Sequence, residues 1–127
     1  MLARVPTVPP PLERIAATPV LASEMPAGFT RVKVLRLAPN RRYHTLGGVR
    51  IDFSNSRVSE SASYALLRTN SAAAHLARVE GNFSTAGLFR VRAVAVGRFA
   101  VAVTAKTAAE AGSLWRLALM HLRRSER

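Results

Sequence analysis

The sequence predicts an α+β fold, an antiparallel sheet of about five strands in the order β-β-β-α-β-β-α backed by two helices, the C-terminal one longest. Three observations predict it. Two near-mirror apolar runs, "VRAVAV" and "FAVAVTA", flank Gly97 and read as a hairpin. The segment "VRIDF" over 49–53 alternates, with Val49, Ile51 and Phe53 on one side and Arg50 and Asp52 on the other. The last twenty residues place Ala111, Leu114, Trp115, Ala118 and Leu122 at helical spacing. A chain of 127 residues, 49% of them apolar, has the size and composition to build one core.

Six of the seven prolines lie in residues 1–27, so this stretch is expected to be a proline-rich flexible arm, with a single domain over 28–127. Pro9, Pro10 and Pro11 interrupt any apolar run a secretory signal would need. The expectation is a chain with no signal peptide of its own, cytoplasmic or else exported after a signal was removed. No run approaches the roughly 20 apolar residues of a transmembrane helix, because Arg98 divides the best candidate.

The body begins with "FTRVKVLRL" (29–37), a β-branched run whose alternation slips a phase at Leu35, which suggests a bulge or a strand end buried on both sides. Residues 38–48 read as a loop, 54–61 as a polar connection, and "ASYALLRT" (62–69) as a third strand. A short helix follows, capped by Asn70 or Ser71, with Ala73, Leu76 and Ala77 on its apolar side and a stop at Gly81-Asn82. Thr107 and Glu110 form the pattern of a capping box ahead of the final helix, and Arg123 and Arg124 sit where its dipole favours cations.

Two turns fit the hairpin at Gly97. A two-residue type II′ turn, the preferred reading, puts Val94, Val96, Phe99, Val101 and Val103 on one face and Ala93, Ala95, Ala100 and Ala102 on the other. A three-residue turn shifts the register by one and gathers Arg90, Arg92, Thr104 and Lys106 on one polar face. The alanine face is flat enough for a helix to approach closely, and both helices are expected on one side of the sheet.

Charge is the dominant compositional signal. The chain carries 19 Lys and Arg against 7 Asp and Glu, a formal charge of +12 and an isoelectric point near 11.9. Such a field favours polyanions, whether nucleic acid, anionic lipid or an acidic protein. The residues offered for that role are Arg31, Lys33, Arg50, Arg90 and Arg92 on expected strands, with Arg41, Arg42 and Tyr43 clustered in a loop. Tyr43 beside two arginines suits base stacking with phosphate contact. The plainer reading is a set of scattered, solvated arginines that reflects coding bias. Element order argues against the common RNA-binding module, whose order is β-α-β-β-α-β.

Enzymatic chemistry finds little support. The absence of cysteine excludes disulfides, thiol catalysis and thiolate metal sites. His44, His75 and His121 share no ligand spacing, no G-x-S-x-G elbow is present, and "LGGVR" lacks the helix and lysine of a phosphate loop. A carboxylate pair would need Asp52 with Glu60 or Glu80, which nothing local supports, and Glu110 is assigned to its cap. "NFS" at Asn82 is a glycosylation acceptor only on a eukaryotic secretory route. The expectation is therefore a non-catalytic binding domain without cofactor or metal, with nucleic-acid binding as the alternative. Exposed sheet edges leave a homodimer open.

Three stretches, "MPAGFTRVKV", "YALLRTNSAAAHL" and "VGRFAVAVTAKTAAEAGSLWRLALMHL", make residues 25–122 similar to small exported or surface-lipoprotein domains of actinobacteria. The resemblance implies a Pro-rich stem, a curved antiparallel sheet and a long C-terminal helix, and it implies no catalytic residues. This chain departs from that pattern in having no lipobox cysteine.

Overall fold

The structure is a computed structural model describing residues 7–81 and 89–127. Strands β1 (Arg31–Leu37), β2 (Gly47–Ser54), β3 (Ser59–Leu66), β4 (Arg90–Val96) and β5 (Phe99–Ala105) form one antiparallel sheet in the order β1-β2-β3-β5-β4. The helices are α1 (Pro10–Ala17), α2 (Asn70–Gly81) and α3 (Ala108–Ser125), the last being longest at 18 residues. The α+β class expected from the sequence is thus the observed one. The Asn82 acceptor and the expected "FSTAG" loop lie outside the described residues. Among those described, no helix is long and apolar enough to cross a membrane.

The hairpin closes with Val96 opposite Phe99, which leaves Gly97 and Arg98 as a two-residue turn. Gly97 has φ +58 while Arg98 is not left-handed, as a type II′ turn requires. Leu67 clamps the turn, donating its N–H to the Arg98 carbonyl at 2.9 Å and accepting from Arg98 Nε at 2.9 Å. The register therefore separates a valine face from an alanine face, and the three-residue alternative does not form.

The pairing extends the valine face through Ala62, Tyr64 and Leu66 on β3 and Val49, Ile51 and Phe53 on β2. Against it pack Ala111, Leu114, Trp115, Ala118 and Leu122 of α3, as their spacing predicts. The alanine face takes α2 instead, through Ala73, Leu76 and Ala77 against Ala100 and its small neighbours. The two helices thus lie on opposite faces, which corrects the expectation of one side. The physical reason is that one-carbon side chains on β4 and β5 admit a helix backbone that the valines would hold away. Thr69, and not the expected Asn70 or Ser71, caps α2, with Oγ1 accepting the Ala72 N–H at 3.1 Å.

β1 pairs with β2 without interruption from Arg31–Ser54 to Leu37–Gly48, so the slip at Leu35 is not a bulge. What breaks the apolar alternation is Arg36, which faces α1 and forms a two-pronged ion pair with Glu13 at 2.7 and 2.8 Å.

The expected arm is the largest correction. From Val8 onward the N-terminal stretch packs against the core. Pro10 and Pro11 stand at the first two positions of α1, where the N–H that proline lacks has no helical partner anyway. Leu12 and Ile15 are fully buried under the sheet. Beyond α1 a 3₁₀ turn, Ala22–Glu24, brings Glu24 beneath α3 with 2% exposure. Its carboxylate accepts from the Leu21 N–H at 2.9 Å, from Arg124 Nε at 3.1 Å and from Arg124 Nη2, and it faces His121 Nδ1 at 3.2 Å. His121 Nε2 lies 3.1 Å from the Ile15 carbonyl. Both ring nitrogens thus have a polar partner in the buried network.

Burial pushes the Glu24 carboxyl up, but the bonds from Arg124, Leu21 and His121 together hold it below the ordinary 4.5. A carboxyl depressed in the folded state stabilises fully above its unfolded pKa and stops doing so as acid protonates it. Wild-type stability should therefore fall below pH 4.5, and E24Q should flatten that limb. At neutral pH, E24A leaves His121 and Arg124 without their acceptor and should cost about 3 kcal/mol. A thermal melt should show this as a loss of about 10 °C.

Candidate functional site

With α2 packed on β4, β5 and the Ala65 end of β3, the alanine side of β1, β2 and the Ser61–Ser63 part of β3 is covered by no helix among the described residues. Register decides what that open half displays. Arg31 and Lys33 project from β1, Arg50 and Asp52 from β2, and Ser61 and Ser63 from β3. Arg31, Lys33 and Arg50 are exposed, while the serines form a half-buried polar floor. Asp52 is held by Arg50, with Nε at 2.9 Å and Nη2 at 3.3 Å, so it neutralises one cation and leaves the other two free of it.

The loop between β1 and β2 borders this floor. Asn40 organises it by accepting the Arg42 N–H on Oδ1 at 3.0 Å and the Thr45 N–H on its carbonyl at 3.1 Å, while Thr45 Oγ1 accepts the Asn40 N–H at 2.8 Å. His44 takes the left-handed conformation (φ 59) that closes the loop. The consequence is that Arg41, Arg42 and His44 point to solvent and Tyr43 turns inward, half-buried. Tyr43 packs beside α2, and the Arg42 guanidinium stands 5.6 Å from its ring centre.

Between Tyr43 and α2 runs an open cleft of about 380 Å³ floored by Ser63, Ala102 and Thr104 and walled by Leu76, Val79 and Glu80. Burial raises the Glu80 carboxyl to about 7, so it is only partly ionised at neutral pH. Another cleft, of about 800 Å³, lies beside the loop, where Arg41 and His44 meet Arg68 and Ala72 at the amino end of α2.

Of the eight residues offered from sequence, the structure groups six. Arg31, Lys33 and Arg50 share the open sheet face, and Arg41, Arg42 and Tyr43 share its bordering loop. Arg90 and Arg92 are not with them. They lie on the valine side of the opposite edge strand, and Arg92 stacks over Trp115 at 5.2 Å. Arg68 joins the group without having been singled out, because its position after β3 gives no local hint of proximity to the loop.

The carboxylates regroup as well. Asp52 faces the open half, while Glu60 belongs to the valine side of β3, so those two cannot pair. Glu60 meets Glu110 instead, at a cleft beneath the first turns of α3. The capping box is half formed: Thr107 Oγ1 accepts the Glu110 N–H at 3.1 Å, and the Glu110 carboxyl faces Glu60. His75 is exposed, and His121 belongs to the Glu24 network. No group of three or more candidate metal ligands occurs among the described residues.

Compared with known proteins, the chain matches no family model, no curated protein and no solved structure.

Two measurements check the cleft and its loop. A carboxyl raised in the folded state stabilises fully below its unfolded pKa and ceases to as pH rises through about 7. E80Q should therefore gain on wild type between pH 5 and pH 8, by about 1 kcal/mol in chemical denaturation. N40A removes the acceptor that orients Arg42 and should cost about 1 kcal/mol, with amide signals changing across residues 40–45.

Proposed function

We propose that this chain is a non-catalytic binding domain that receives an extended anionic partner on the open half of its sheet. The observation that carries the reading is the joint placement of Arg31, Lys33 and Arg50 on one uncovered face with Arg41, Arg42 and Tyr43 along its border. A basic field alone attracts any polyanion. Here the polar floor is narrow, helix α2 walls one side, and the cations line the other side and one end. An elongated partner fits that shape better than a compact one.

Tyr43 favours single-stranded nucleic acid over an acidic protein. A half-buried ring beside a guanidinium gives a flat surface for a base while the neighbouring cations hold phosphates. An acidic peptide would use the cations and have no need of the ring. Arg90 and Arg92 stay outside this reading, since they face the other side.

A salt titration with an unstructured oligonucleotide tests it. Four phosphate contacts at about −0.7 each give an affinity drop of about 50-fold between 50 and 200 mM salt. R31Q with K33Q should flatten that slope by about 1.4. Y43A should weaken binding by about 1–3 kcal/mol and leave the slope unchanged. Equal binding of oligonucleotide and polyglutamate, with Y43A indistinguishable from wild type, would reduce the surface to general charge attraction.

A further inference from the structure

The cleft beneath α3, on the valine side of the sheet, lies outside the basic surface, and its inference does not depend on that reading. It has a volume of about 550 Å³ and opens between Phe29, the start of β3 and the first turns of α3. Its walls are apolar, from Met25, Phe29, Leu117 and Met120, the last of these 47% exposed. Two carboxyls stand in it. Glu60 is 2% exposed, and Glu110 lies in the first turn of α3.

The pairing is anomalous for this chain. Glu13, Glu24 and Asp52 each hold an arginine. Glu60 and Glu110 form no ion pair among the described residues, although the chain carries 19 Lys and Arg. One Glu60 oxygen accepts the Lys106 backbone N–H at 2.9 Å. The other meets no N–H donor among the described residues and is left to the Glu110 carboxyl and the cleft. Two neighbouring carboxyls repel when both ionise, unless a proton or a cation sits between them. Burial first, and then Glu110, raises the Glu60 carboxyl to about 7, against a lowering by the Lys106 N–H and its charge. The remaining charged group at the cleft is Arg116, exposed at its rim and turned toward Ser113 Oγ at 3.5 Å.

We infer that this cleft is a binding site for a small alkylamine, its ammonium held between Glu60 and Glu110 and its hydrocarbon chain lying on Phe29, Leu117 and Met120. An ammonium offers three donors, enough to serve both carboxyls at once. The cleft volume suits a small ligand. The apolar wall selects against a hydrated metal ion, which keeps its water and gains nothing from methionine and phenylalanine.

The test uses hexylamine as probe with the full chain, followed by carboxyl and amide NMR shifts. The expected result is saturable binding that shifts Glu60 and Glu110, strengthening as pH rises from 5 to 8 while Glu60 ionises. E60Q keeps the acceptor for Lys106 and so should keep the fold, yet it should weaken hexylamine at least about tenfold. E110Q should do the same. M120A should weaken hexylamine several-fold and leave methylamine unchanged. The inference is overturned if hexylamine at pH 8 leaves both carboxyl signals in place, or if E60Q binds as wild type does. Tighter occupancy by Mg²⁺ or Ca²⁺ than by hexylamine overturns it too.

Discussion

The two-residue reversal at Gly97 decides which side chains meet which helix. A strand pair alternates with a period of two, so a register one residue away would interchange every inward and outward position. With Val96 opposite Phe99, bulky residues gather on one side and alanines on the other. Valines and aromatics then form the layer beneath α3, while the shallow side accepts α2 at short range. Because β5 pairs with β3, and β3 with β2, the same parity runs across the whole sheet and fixes the outward side of β1.

A second constraint closes the valine side. The layer under α3 is completed by Leu12 and Ile15 from the N-terminal segment, which α3 grips through charge as well as packing. Glu24 and His121 are 97 residues apart and nearly inaccessible. A buried charge of this kind stabilises only while every partner is present, since each member left alone pays its desolvation. Chain start and chain end are therefore joined in one cooperative unit. The amine cleft follows from the same construction, because the stretch from Met25 to Phe29 that leaves the Glu24 turn forms one of its walls.

Much of this was legible in the chain itself. The apolar stripe of α3, the strand over 49–53 and the Gly97 hairpin all rest on local periodicity, and their spacing alone identifies them. In the N-terminal segment the prolines look like breakers and mask the helix, although two of them at a helix start are compatible with it; Leu12 and Ile15, three apart, are the available signal. Glu60 falls in the expected 54–61 connection, whereas β3 begins at Ser59 and not at Ala62. Once it is counted in the strand, its parity with Ala62 and Tyr64 sends it inward. Arg31, Lys33 and Arg50 were readable as one set from alternation. The separation of Arg90 and Arg92 from them depends on the sheet's pairing order, which no local pattern encodes. The meeting of Glu24 with His121, and of Glu60 with Glu110, is likewise tertiary in origin.

The parity of the sheet is open to direct measurement. Cross-strand proton contacts in solution should join Val94 to Val101 and Ala93 to Ala102. With these in hand, the valine layer, the helix positions and the outward cations of β1 and β2 all follow. Contacts joining Val94 to Ala102 and Ala95 to Val101 would mean a three-residue turn, and would contradict the division of the sheet into the two faces described.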